Sequence, residues 1–305
     1  MNIRKLRTLP IHILLVISSM VMMYPLLYGV LASFTTPAEY IRSIWIPVPS
    51  SFNLKNYADL FSPRMTPLIS RSVLVTVFRI VWYICVASVS SILLGYVFAR
   101  LRFRGKEVVF IYLLCSMLVP GIVFQVPIYV MMARWPLVGG NDAMGVGGSG
   151  YLNQMPSLLL GGLISAYFIF LMRQSFYSIP PDYEEAARID GANTFQVLFS
   201  VYLPMLVPVL MVIVIGMFVA VWNDYIWPLM AVGGDKDLWP VGLLFQRLMA
   251  GAVPIVGQTT SSSGQITNIP LLLTAGMVAT IPPVLCFFLF QRYFIEGMQG
   301  VGIKG

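Results

Sequence analysis

The chain has 305 residues, 58% of them hydrophobic and only 10% charged, with a net charge of +7 and a mean hydropathy of +0.83. A soluble domain carries about 25% charged residues, so this composition excludes an ordinary soluble domain and indicates an integral membrane protein. The basic residues sit in short clusters beside apolar runs and form no groove-lining stripe, which argues against nucleic acid and for phospholipid headgroups as their partner.

Six apolar runs approach the roughly 20 residues that a bilayer-crossing helix needs. They cover residues 11–33, 72–99, 108–132, 157–177, 205–229 and 270–290. Backbone groups in hydrocarbon must be satisfied internally, so each run is expected to be helical. The expected fold class is therefore an all-α integral membrane protein, one transmembrane domain over residues 1–305 with a cytoplasmic loop at 178–204. Arg4, Lys5 and Arg7 precede the first run. That run exceeds the roughly 7 to 15 residues of a signal-peptide core, which favours a retained anchor. His12, the one histidine, stands at its start and reads as an interfacial residue. A multi-histidine metal site is excluded by that count, and no helix pairs histidine with glutamate at ligand spacing.

The loop after the second run reads RLRFRGKE and carries Arg100, Arg102, Arg104 and Lys106. Dense positive charge in a short loop marks the cytoplasmic side. Both termini and the 178–204 loop are then expected inside. Long outer stretches follow at 34–71, 133–156 and 230–269. In the second, GGNDAMGVGGSG formally satisfies GxGxxG through Gly145, Gly147 and Gly150, but neither a strand nor a clear helix flanks it. It reads as a flexible outer loop and not as a dinucleotide site. TTSSSG at 259–264 also reads as loop. Cys85, Cys115 and Cys286 all lie within apolar runs and read as small buried hydrophobes.

EEAARIDGANTF, residues 184–195, interrupts this apolar pattern with four charges. Pro180-Pro181 ends the preceding helix. Asp182 is expected to cap a new one, with Glu185 completing a capping box. Gly191 fits its C-terminal cap, and Asn193 or Thr194 can start a second helix running to Leu203-Pro204. Small Ala186 and Ala187 leave one side slim enough for another surface to approach. An ordinary solvated loop between two spans is the plainer alternative.

PPDYEEAARIDGANTFQVLFSVYLPMLVP resembles the EAA loop of ATP-binding-cassette (ABC) importer permeases. Glu185, Ala186, Ala187, Asp190, Gly191, Ala192, Leu203, Pro204 and Pro208 stand where that family has them. GYVFARLRFRGK, VWNDYIWPLM at 221–230 and the tail QRYFIEGMQGVGIKG are similar to the carbohydrate, maltose-type second permease subunits. The resemblance implies a six-helix type I importer permease in the cytoplasmic membrane of a bacterium or archaeon. It also implies a homologous partner permease in a heterodimer, two cytoplasmic ATPase subunits and an extracytoplasmic solute-binding protein. Glu184, Glu185, Ala186, Ala187, Asp190, Gly191, Ala192 and Pro204 become the ATPase-coupling residues. This chain itself is expected to bind no cofactor, because GxxxxGK[ST] is absent from it; ATP and magnesium belong to the ATPase subunits.

Substrate contacts are less sharply marked. Trp222, Asn223 and Asp224, with Tyr225, combine aromatic faces and hydrogen-bonding groups, and Gln125 is a polar group at membrane depth beside Pro127. These groups could line a sugar path or simply hold helices together. A secondary transporter would need embedded charges, and the candidates are Arg79 and Asp224. Arg79 reads as snorkelling towards the outer interface, Asp224 as lying at the outer edge of the fifth run.

Overall fold

The computed structural model describes residues 3–162, 164–251, 253, 260–261, 264–265 and 268–302. The side chains of Arg4, Lys5 and Arg7, residues 259, 262 and 263 of the TTSSSG run and the last three residues of the tail lie outside the described residues. Two compact units partition the chain, Met1–Ser70 with Leu244–Pro282, and Arg71–Leu243 with Pro283–Gly305.

The first unit contains α1 (Ile3–Ser33) and short helices at Pro37–Arg42 and Lys55–Leu60. Asn56 Nδ2 donates to the carbonyls of Ser33 and Thr35, both at 2.9 Å, and so satisfies the frayed C-terminal end of α1. The only strand pairing among the described residues is the two-residue ladder Thr260–Ser261 with Gly264–Gln265.

The second unit is built on α2 (Thr66–Arg100) from Arg71 onward, α3 (Lys106–Cys115), α4 (Gly121–Ala133), α5 (Ala166–Ser178), α6 (Asp182–Ile189), α7 (Val207–Asn223) and α8 (Ile226–Val232). A last helix, α9 (Ile269–Gly302), runs to the C-terminal end of the described chain. At 1.5 Å per residue, the 35 residues of α2 reach about 50 Å, well beyond a hydrocarbon core of about 30 Å.

Among the described residues, three helices are long and apolar enough to cross a membrane alone: Pro10–Ser33, Thr66–Arg100 and Ile269–Arg292. The third and fifth apolar runs are bent. Lys106–Leu118 and Gly121–Ala133 meet at 99°, and Thr194–Met205 and Val207–Asn223 at 77°. The fourth run departs furthest from the expected continuous helix. It divides into Met155–Leu160 and α5, with Gly161 and Gly162 in the gap. Gly162 has φ +70°, which ends a helix at no steric cost because glycine lacks a Cβ. The thirteen residues of α5 reach about 20 Å and cannot span the core alone.

Basic residues at the end of α2 serve structure first. Arg100 Nη2 donates to the carbonyls of Phe176 and Ile179, and Lys106 Nζ to those of Ala99 and Leu101. Arg173 grips Glu107 with Nη2 at 2.8 and 2.9 Å, donates from Nε to the Phe98 carbonyl, and stacks 3.7 Å over the Phe110 ring. These contacts add side-chain donors to carbonyls at the C-terminal ends of α2 and α5.

The glycine-rich loop at 139–150 is a tight knot where a flexible loop was expected. A Cβ on Gly139 would lie 2.0 Å from the Gly150 carbonyl oxygen, and one on Gly145 would lie 2.2 Å from that of Arg134. Asn141 cross-links it, donating to Ala133 and Trp135 and accepting from Gly148. The expectation for the cysteines holds for Cys286, which is buried. Cys85 and Cys115 are exposed, on faces that composition alone could not assign.

Candidate functional site: a tethered surface helix and a cavity at three helix breaks

The 178–204 segment folds as a helix, an elbow and a second helix. Its first cap differs from the expected one. Pro181 is the N-cap of α6, and its carbonyl accepts from Glu184 and Glu185 at 2.9 and 3.1 Å. Asp182 is the first helical residue, so Glu185 completes no capping box. The reason is Pro181 itself, whose fixed φ of −65° is already suited to a helix start. At the other end Ala192 N donates to the Ala187 carbonyl and Gly191 N to that of Arg188. Gly191 stands at φ +86°, and the pair of bonds is a Schellman motif. The capping box lies instead on Asn193 and Gln196, with reciprocal bonds of 3.0 and 2.8 Å.

This geometry divides two adjacent glutamates. Glu185 is exposed, as are Ala186, Ile189 and Phe195. Glu184 turns inward. Its Oε2 accepts from the Tyr202 phenol at 2.7 Å, and its Oε1 accepts from Arg188 at 2.8 and 3.1 Å. Tyr96 OH stands 3.5 Å from the same carboxylate. Burial pushes the Glu184 carboxyl up, but the Arg188 and Tyr202 hydrogen bonds and the Arg188 and Arg100 charges outweigh it. The carboxyl is held below the usual carboxylate range.

Tyr202 is fully buried in a cluster of rings with Phe176 and Tyr96, centroids 5.3 and 6.0 Å away, and Arg100 lies 5.1 Å over its face. It ends a π-helical stretch, Val197–Tyr202, in which Val197 and Leu198 are also buried. Pro204, one of the expected coupling residues, is exposed; the buried Tyr202 and Leu206 hold this end of the segment. Tyr202, Tyr96 and Arg100 were not marked as site residues by sequence. The one available signal was a tyrosine placed inside an apolar run beside a charged segment.

A second feature lies where three helix interruptions converge. A cavity of about 440 Å³ is lined by Gly121 at the start of α4, Gly161 and Gly162 in the gap before α5, and Asn223 and Asp224 at the break between α7 and α8. Irregular backbone at membrane depth is tolerated where it lines a cavity, and broken helices mark binding sites in transporters. Gln125, Asn223 and Asp224 of the expected path are brought together here. Trp222 is not among the lining residues; it is 7% exposed and stacked on Phe218.

Arg79, 145 residues from Asp224, reaches it across this cavity. Its Nη2 donates to Asp224 Oδ2 at 2.6 Å, and its side chain is 1% exposed. The expected snorkelling is therefore overturned, because the guanidinium finds a carboxylate inside the protein and has no need to reach water. Tyr83 OH donates to the carbonyls of Leu158 and Gly161, and Trp227 Nε1 to that of Ser157. No group of three or more potential metal ligands occurs among the described residues.

Comparison with known proteins agrees on one family. Residues 91–300 match the profile described as "Binding-protein-dependent transport system inner membrane component". The arabinooligosaccharides transport system permease protein of Halalkalibacterium halodurans is 26% identical over 92% of this chain and 91% of its own. A Pyrococcus horikoshii protein named "Probable ABC transporter permease protein" is 30% identical over 90% and 91%. Among solved structures, a bacterial ABC transporter involved in import of the acidic polysaccharide alginate shares the fold. Its TM-score is 0.74 at 21% identity, covering 96% of this chain and 99% of that one.

Proposed function

The chain belongs to the family of binding-protein-dependent transport system inner membrane components, and on that premise we propose that it moves a carbohydrate as one permease subunit of an ABC importer. The carbohydrate assignment is supported by the arabinooligosaccharide relative and by a cavity that mixes apolar walls with hydrogen-bonding groups. Six passes place both termini and the 178–204 loop on the cytoplasmic side, with Met155–Leu160 and α5 together making the fourth. The basic RLRFRGKE loop supports that orientation. A solute-binding protein delivers the sugar outside, and a homologous permease completes the path. Two ATPase subunits, which carry ATP and magnesium, dock at α6.

The observation that carries the docking role is the division of labour on α6. Glu184 ties the helix to the spans, while Glu185, Ala186, Ile189 and Phe195 stay open. A short helix held rigidly at its base transmits a push better than a floppy loop. The embedded charges that a secondary transporter would use are spent on one another in the Arg79–Asp224 pair. Disulfide trapping tests the reading. A cysteine at Ala186 should cross-link to the co-expressed ATPase, and the cross-link should block ATP hydrolysis and uptake together. Failure of Ala186→Cys to trap the ATPase from any position on its surface would remove the docking role.

A further inference from the structure

The cavity at the three helix breaks presents its two charges unequally. Arg79 is 1% exposed, whereas the Asp224 side chain keeps 27% exposure. A ligand therefore meets the carboxylate, and the guanidinium stands behind it. Arg79 Nε and Nη1 are buried and have no hydrogen-bond partner among the described residues.

The neutral groups supply both kinds of bond. Asn223 Nδ2 gives one of its two protons to the Val219 carbonyl at 2.9 Å, which leaves one N–H and the Oδ1 acceptor. The Tyr83 hydroxyl and the Trp227 indole N–H are already committed to backbone carbonyls. Gln125 adds a second amide. The amides can thus donate to or accept from a sugar hydroxyl, and of the two charges it is the Asp224 carboxylate that stays exposed to a ligand.

Building on the carbohydrate reading above, we infer that this cavity takes a neutral, polyhydroxylated saccharide unit and rejects saccharides bearing carboxylate or sulfate groups. Hydroxyls bring the donors that Asp224 and Asn223 need. A uronate brings acceptors and a like charge towards Asp224, in a site where burial strengthens both penalties. Arg79 is then a positioning residue that holds the Asp224 carboxylate in place. The inference separates this chain from the alginate importer whose fold it shares; specificity lies in the cavity and not in the fold.

The test is saturation-transfer NMR on the assembled importer in nanodiscs, without the binding protein. The probes are arabinotriose and lactose as neutral saccharides, and trigalacturonate and an alginate trisaccharide as acidic ones. The neutral probes should bind about tenfold more tightly than the acidic ones. Asn223→Leu should weaken neutral binding about fivefold, as loss of one good hydrogen bond does. Asp224→Asn alone strands the Arg79 charge, so the double variant Arg79→Gln with Asp224→Asn is used, and it should narrow the neutral-over-acidic preference. Gln125→Arg, which adds an exposed donor, should raise acidic binding.

Acidic probes binding as well as neutral ones would overturn the inference while leaving the carbohydrate reading intact. So would wild-type preference in both Asn223→Leu and the double variant. Binding of no saccharide from either class would sink the carbohydrate reading and this inference with it.

Discussion

Tyr202 and Glu184, eighteen residues apart, are joined by a phenol-to-carboxylate hydrogen bond of 2.7 Å. The bond clamps α6 back onto the helical segment that follows it. Removing it with Tyr202→Phe should cost the clamp about 2 kcal/mol, the usual worth of a hydrogen bond to a charged group. Faster proteolysis within 182–196, with insertion in the membrane unchanged, is the expected readout.

The same clamp has a pH signature. The Glu184 carboxyl is held below its ordinary value when folded, so its contribution is fully present above that ordinary value. It is lost as pH falls through the depressed folded value. Protection of 182–196 should therefore be flat from neutral pH down to the ordinary carboxylate range and then collapse. Glu184→Gln should remove that acid-side step.

Gly191 stands at φ +86° with nothing within 4 Å of a built Cβ. A side chain there meets no obstacle, so its penalty is conformational alone, about 1 kcal/mol for alanine and more for a β-branched residue. Gly191→Val should weaken co-purification with the ATPase subunit, and Gly191→Asn should be tolerated, because asparagine enters the left-handed region readily. Equal co-purification of the wild type and Gly191→Val would remove the elbow from the coupling argument.

Glu185 is exposed where Glu184 is not. Glu185→Ala should lower sugar-stimulated ATP hydrolysis and uptake together in proteoliposomes, and Glu185→Lys should do so further by placing a like charge against a basic partner. Uptake lost with stimulated hydrolysis at the wild-type level would move Glu185 out of the docking surface.

The two members of the embedded pair should respond unequally to truncation. Asp224→Leu leaves a guanidinium that is 1% exposed without its counter-ion, a loss of about 3–5 kcal/mol. Arg79→Met leaves a carboxylate that keeps 27% exposure and can be hydrated, so it should cost less. Thermal unfolding in detergent should rank Asp224→Leu below Arg79→Met.

Orientation is checked by thiol labelling of sealed cells. Ser149→Cys should react with an impermeant reagent, and Thr194→Cys should not. Both positions are exposed, so access, not burial, decides the result.

Local chemistry made some of this legible from sequence. The elbow at Gly191 and the cap at Asn193 follow from what glycine and asparagine do to the residues beside them, and both stand where the sequence placed them. The sequence could not say which of Glu184 and Glu185 turns inward, because that depends on which face of the helix meets Tyr202, eighteen residues on. Arg79 and Asp224 are 145 residues apart, and no local rule joins them. The breaks at Gly161-Gly162 and Asp224 were hidden by counting apolar residues, since a run can be hydrophobic enough to cross a bilayer and still fail to be one helix. Trp222 looked like a sugar platform by composition, but its packing against Phe218 is set by tertiary contacts.

The π-helical turns at Val197–Tyr202 make residue count matter as much as residue type. A π-turn accommodates a residue more than an α-turn does, so deleting one position here would let the stretch close into ordinary α-helix. The segments on either side would keep nearly the same azimuth, because the wide turn absorbs the residue that is removed. The same deletion in a regular α-helical stretch would instead turn everything before it by about 100° around the axis and shift it by about 1.5 Å. Val197–Tyr202 is therefore where this connection best tolerates the loss of a residue without drawing Glu184 away from Tyr202.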